Sequence, residues 1–264
     1  MHSHFLTRAS WGFLIFLIYL FLLAPIIVVV IISFDTRPYL AFPPEHLSLR
    51  SYALVLQNAT FVHSFGVSLA VGMVVAALAL IAGTLASLAL VRHQFRLRNA
   101  AAFTFITPLL VPHIVLAVGV LLALATLDLI DTYTGIIVAH VGITIPYVIR
   151  TVSMSLEAVD IRVEEAARVH GATSLTTFRR ITLPLILPGV ISGAVVAFLI
   201  SFDEAVISLF IVNTHVRTLP VAIFNYLEFK TDPQVAALSV ILILISLILV
   251  VVIERAIGLR RVLR

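Results

Sequence analysis

Residues 153–183 read SMSLEAVDIRVEEAARVHGATSLTTFRRITL. The flanking stretches, 133–149 and 186–211, are apolar, and Asp203 and Glu204 are their only charged residues. Within and beside this polar segment, four acids (Glu157, Asp160, Glu164, Glu165) meet four arginines (Arg162, Arg168, Arg179, Arg180). A charge at mid-bilayer costs about 2.5–3.5 kcal/mol on insertion scales, so the segment is an excursion between two membrane crossings. Working outward, the rest of the chain repeats that alternation. A crossing needs roughly 20 apolar residues, because the hydrocarbon core is about 30 Å thick and each helical residue rises about 1.5 Å. Six stretches qualify: 11–34, 66–91, 100–126, 133–149, 186–211 and 236–253. The predicted fold class is an all-α integral membrane protein with six transmembrane helices, one polytopic domain over 1–264.

Composition excludes the competing classes. The 264 residues are 61 % hydrophobic and 11 % charged, with mean hydropathy +1.17, whereas soluble domains run about 45–50 % and 25 %. The absence of cysteine removes thiolate catalysis, disulfides and cysteine-ligated zinc. A net charge of +4 would suggest nucleic acid in a soluble protein, but here the basic residues sit in short loops, and no nucleic-acid partner is expected. Their distribution sets orientation. With the N-terminus inside, Arg37, Arg50, Arg217 and Lys230 fall outside, and the remaining thirteen of the 17 fall inside. Both termini are therefore expected in the cytoplasm of a multi-pass chain in a bacterial inner membrane. The first apolar run, 24 residues without a small-x-small cleavage site, reads as an uncleaved anchor.

Within the spans, Gly72, Ala76, Ala79, Gly83 and Ser87 form a small-residue stripe suited to close helix contact. Pro108, Pro112 and Pro146 are expected to kink their helices. No Gly-Lys-Ser/Thr loop exists, since the only lysine is Lys230 after Phe229, so no nucleotide site of that kind is expected. No metal-ligand spacing or catalytic motif is present either, and the chain is not expected to be an enzyme. His113 and His140 lie within spans, where a hydrogen-bonded structural role competes with a functional one.

The 153–183 segment has its own local order. Asp160 suits the N-cap of a helix over 161–170, with Glu164 and Arg168 at i, i+4. Gly171 suits the left-handed position that ends it. Ser174 can cap a second short helix through Ile181, which Pro184 brings to a close. Such a charge-balanced hairpin, with Ala166 and Ala167 permitting close approach, suits docking to a cytoplasmic protein; packing on its own bundle is the alternative.

Glu165-Ala166-Ala167, then three residues, Gly171, nine residues and Ile181-x-Leu183-Pro184 matches at every fixed position the E-A-A-x3-G-x9-I-x-L-P motif. The chain thereby resembles the membrane permease subunits of bacterial binding-protein-dependent ABC importers. That resemblance implies a type I importer permease (MetI-like) fold with a cytoplasmic coupling helix. It implies ATPase coupling through Glu164, Glu165, Ala166, Ala167, Gly171, Ala172, Ile181, Leu183 and Pro184. It also implies as partners a second homologous permease, two ATPase subunits, an external solute-binding protein and the lipid bilayer. It further implies that the chain itself binds no cofactor and that ATP and Mg belong to the ATPase subunits.

Ser201–Ser208 (SFDEAVIS), Thr218-Leu219-Pro220 and Asp232-Pro233-x-Val235-Ala236-Ala237-Leu238 are similar to the second permease of spermidine/putrescine importers, which usually carry Asp-Asp where Asp203-Glu204 stand. Permeases for other small solutes (amino-acid-like, opine, aminoethylphosphonate) share much of this pattern. Asp203 or Glu204 can face a translocation path and complement a cationic amine, with Phe202 or Phe210 adding cation–π contact; pairing of the acids with polar groups on other helices is the alternative. An ion-driven secondary transporter would predict inverted repeats, and none relates 1–132 to 133–264.

Overall fold

A computed structural model describes residues 2–257. Arg260, Arg261 and Arg264, counted in the inner charge excess, lie outside the described residues. The described chain forms twelve helices: α1 (His2–Ile32), α2 (Arg50–Gln57), α3 (Ala59–Arg92), α4 (Arg98–Leu110), α5 (His113–Thr126), α6 (Tyr133–Glu157), α7 (Ile161–Val169), α8 (Ser174–Thr177), α9 (Leu183–Phe202), α10 (Val206–Ile211), α11 (Leu219–Phe229) and α12 (Pro233–Ile257). They divide between two compact units, 1–62 with 223–245 and 63–222 with 246–264.

Among the described residues, four helical segments are long and apolar enough to cross a membrane: Trp11–Ile32, Ala59–Arg92, Tyr133–Glu157 and Ser174–Phe202. The pair α4 and α5 makes a fifth if counted as one, but it is bent by 109°. The stretch expected to be a single kinked span, 100–126, is thus two helices. Pro112, N-cap of α5, has no N–H to continue α4, and Val111 takes an extended ψ of 133°. By contrast α6 runs unbroken through Pro146 and eight residues past the expected end at 149, so 153–157 is helix and not loop. The sixth expected span coincides with α12, whose apolar stretch Pro233–Ile248 is shorter than the four others.

In the first unit, the aliphatic and aromatic side chains of α1 from Trp11 to Leu22 are exposed, which suits a lipid-facing anchor. Its end is fixed by Ser33, whose hydroxyl meets the Tyr52 hydroxyl at 2.6 Å, while Phe34 packs on the Tyr52 ring. The following loop is tied by Arg37, whose Nε and Nη2 donate to Asp35 at 2.8 and 2.6 Å. That guanidinium holds the Asp35 carboxyl below its usual range.

The second unit is built around α3, α6 and α9. Its small residues let the backbones approach: a Cβ on Gly83 would lie 2.6 Å from Val148, and one on Gly193 would lie 2.7 Å from the Thr151 hydroxyl. Ala79 and Ser87 are fully buried, and Ser87 Oγ donates to the Ile149 carbonyl at 3.1 Å. The stripe on α3 thus meets α6 at Gly83 and Ser87 and abuts Phe198 of α9 at Gly72. Two buried clusters fill this unit. One runs from Val71 and Val75 to Ile136, Ile207 and Ile211; the other joins Ala79, Val148, Leu156, Ile186 and Ala197.

Candidate functional site

Two places in the second unit carry chemistry: the hairpin between α6 and α9, and a pair of helix breaks where Glu204 meets His113.

The hairpin begins where Asp160 Oδ1 accepts the Arg162 N–H at 3.0 Å, capping α7. Its end is a complete two-bond left-handed cap. Gly171, at φ +85°, donates to the Arg168 carbonyl at 2.9 Å, and Ala172 donates to that of Ala167 at 3.0 Å. The second helix is capped by Thr173, not Ser174, through its hydroxyl and the Thr176 N–H. Nor does that helix close at Pro184. It passes through a π turn, Phe178–Thr182, straight into α9, with Pro184 in the first turn of α9. A π turn leaves out the hydrogen bond that Pro184 could not have made, so the proline is absorbed without a break.

The largest departure concerns Glu164. Expected to pair with Arg168, it is 5 % exposed and pairs instead with Arg92 at the end of α3, at 3.0 Å. Arg92 also donates to the carbonyls of Leu156 and Val159, each at 3.0 Å. One guanidinium thus satisfies a carbonyl in the last turn of α6, a carbonyl of the link that follows it and the acid of α7. With Glu164 turned inward, Glu165 and Ala166 are exposed, Ala167 and Ala172 are half-buried, and Ile181 and Leu183 are half-buried where α9 begins. Ile161, Val163, Val169 and Leu175 are exposed on the same hairpin, Val169 at 85 %. Sequence reading missed Arg92, because a lone arginine after an apolar run looks like any interfacial charge.

At the second place, the stretch expected as one span over 186–211 is interrupted. Helix α9 ends at Phe202 with Asp203 as its C-cap, and α10 begins only at Val206. The two acids therefore do not lie side by side on one helix. Asp203 is exposed at the end of α9. Glu204 is 6 % exposed, and its Oε1 accepts the Ile207 N–H at 2.9 Å, capping α10. Its Oε2 lies 3.9 Å from Nδ1 of His113, the first residue of α5 after the Pro112 break. The two broken helices thus meet at this pair. His140, fully buried on α6, bridges the same interruption, with Nδ1 2.9 Å from the Ser201 hydroxyl and Nε2 3.0 Å from that of Ser208. Phe202 is buried with its ring stacked on Phe198 and edge-on to Phe65, so no open ring face is left for an ammonium. Phe210 is half-buried against the first cluster.

One further residue was not legible. Asp131, at φ 55° before α6, accepts backbone N–H groups from Asn213, Thr214, His215 and Val216 at 2.8–3.1 Å. Desolvation opposes its ionisation, but the four amides outweigh it and hold the carboxyl at a pKa of about 2. The loop after α10 is thereby pinned to the α5–α6 turn.

Comparison with known proteins agrees with this architecture. The chain is 34 % identical over 249 residues to the spermidine/putrescine transport system permease protein PotC of Haemophilus influenzae, covering 94 % of this chain and 95 % of that one. It is 33 % identical to the putrescine transport system permease protein PotI of Escherichia coli, covering 90 % and 87 %. Among solved structures it superposes on a chain of a bacterial ABC transporter involved in the import of the acidic polysaccharide alginate, with TM-score 0.73, 17 % identity, and coverage of 98 % and 97 %; this shows a shared fold. The family model for the binding-protein-dependent transport system inner membrane component matches residues 77–262, and the chain belongs to that family.

Proposed function

We propose that this permease carries a polyamine of the spermidine/putrescine type into the cell as one of two homologous permeases in an ATP-driven importer. The observation that carries the reading is the 34 % identity to PotC, spread over 94 % of the chain. Two ATPase subunits hold ATP and Mg and grip the hairpin, an external binding protein delivers the cargo, and both termini face the cytoplasm. Support for the grip is local. The exposed Val169 and Leu175 offer a partner apolar surface on the hairpin, and the buried Arg92–Glu164 pair gives the exposed Glu165 face a rigid base. ATP binding closes the ATPases on this face and rocks the spans, and hydrolysis resets them.

The helix breaks favour unequal roles for the two acids. Glu204 is spent on capping α10 and facing His113. Asp203 is exposed at the C-terminus of α9, where helix-end carbonyls add partial negative charge. That combination attracts a cation, so Asp203 is the acid that meets the amine. In this reading Asp203→Asn lowers polyamine uptake by an intact complex, and Glu204→Gln acts through complex stability.

The reading is tested by reconstituting the complex in vesicles and measuring ATP hydrolysis with binding protein loaded with spermidine, putrescine or aminoethylphosphonate. Stimulation by a polyamine supports it. Stimulation by aminoethylphosphonate alone removes the polyamine and keeps the importer.

A further inference from the structure

A cleft of about 580 Å³ opens between the end of α3, helix α4 and the second half of α6. Its walls are apolar, including Leu90, Ile106, Leu109, Pro146 and Ile149, and its rim carries Arg98, Asn99, Arg150, Ser153 and Glu157. Arg98 Nε donates to the Leu90 carbonyl at 2.6 Å, which holds the guanidinium at the cleft. Among the described residues neither Arg98 nor Arg150 is ion-paired, although Glu157 lies on the same rim. An apolar trough beneath two unpaired arginines has the two-part chemistry of an anionic glycerophospholipid. The acyl chain displaces nothing polar from the trough, and the phosphate meets donors suited to it in geometry and charge. The cleft also shares its end of the bundle with Arg92, beside the hairpin, and basic pockets between spanning helices on the cytoplasmic side bind anionic head groups.

We propose that this cleft binds one anionic phospholipid, phosphatidylglycerol in type, with its phosphate on Arg98 and Arg150 and an acyl chain along α4 and α6. The bound lipid wedges α4 against α6 next to the base of the hairpin. The cytoplasmic placement rests on the function proposed above, and the lipid itself does not.

The test uses the assembled transporter in nanodiscs of phosphatidylethanolamine containing a photoactivatable phosphatidylglycerol, with adducts mapped by peptide mass spectrometry. Adducts are expected on Ala102–Leu109 or Pro146–Met154. In Arg98→Gln/Arg150→Gln, which keeps its ATPase partners, labelling should weaken by roughly thirtyfold, the loss of two charge contacts. Equal labelling of the double variant, or adducts confined to other helices, overturns the proposal. So does displacement of the label by millimolar inorganic phosphate, which would make the ligand a free oxyanion, or a disulfide between Ile106→Cys and the second permease, which would show protein filling the cleft. Should the double variant fail to assemble, Arg150→Gln alone with Leu109→Trp, which narrows the trough, must still lose the label. Uptake that persists without labelling sinks only the lipid; labelling of Arg98→Cys by an impermeant thiol reagent from outside sinks the orientation.

Discussion

Arg92 and Glu164, 72 positions apart in sequence, form a 3.0 Å ion pair that joins the end of α3 to the first turn of α7. Both side chains are largely buried, at 13 % and 6 % exposure, so the pair belongs to the interior energetics of the hairpin and not to its surface.

Arg92→Met therefore leaves a buried carboxylate without its cation, at a cost of about 3 kcal/mol. Hydrogen exchange over 160–172 should accelerate, and less ATPase subunit should copurify. The double variant Arg92→Met/Glu164→Leu should recover part of the loss, because removing both charges is less costly than stranding one. Unchanged exchange in Arg92→Met would show that the hairpin is held by other contacts.

Gly171→Ala tests the turn. Nothing lies within 4 Å of a Cβ there, so the penalty comes from φ +85° alone, about 1–2 kcal/mol. Asn, which tolerates that region, should restore part of what Ala loses. ATPase activity that no longer rises with loaded binding protein would be the functional readout. Equal behaviour of Ala and Asn would mean that backbone strain is not the cause.

Gly83→Ala should lower the thermal midpoint of the purified protein, since the added methyl meets Val148 at 2.6 and 2.8 Å and overpacking costs about 1–3 kcal/mol. Gly119→Ala, with nothing within 4 Å, serves as the control and should hold or raise the midpoint.

Asp131 predicts a pH dependence with a definite sign. Its carboxyl titrates near 2 in the folded chain against an ordinary 3.8, so the clamp on 213–216 is at full strength above about pH 4. It is lost as the pH falls through about 2. Exchange protection of the Asn213, Thr214, His215 and Val216 amides should follow that course, and in Asp131→Ala it should be low and independent of pH. Protection that persists in Asp131→Ala would mean that the loop is held elsewhere.

Much of this molecule was legible in the sequence because its signals are local. Charge-free runs mark α1, α3 and most of α6, and Asp160 and Gly171 announce the ends of α7 by conformational preferences that act within a turn. What escaped depends on partners distant in sequence. Glu164 has Arg168 one turn away, yet burial selects Arg92, whose fork also takes two carbonyls. Glu204 looks like an isolated intramembrane acid until the helix stops at Asp203 and gives it an N–H to cap. Proline acts differently with its context. Pro112 breaks its helix, Pro146 does not, and Pro184 is accommodated by the π turn, differences set by the surrounding backbone and not by the residue itself.

That π turn has a mechanical corollary. Because Ser174–Phe202 is one helix of 29 residues, its two ends stand roughly 43 Å apart at about 1.5 Å per residue. One end carries the hairpin's second arm and the other carries Asp203. A push applied at Thr173 would reach the acid through one continuous helix, and the wide coil near the loaded end and Pro188 beyond it are where that helix would yield first.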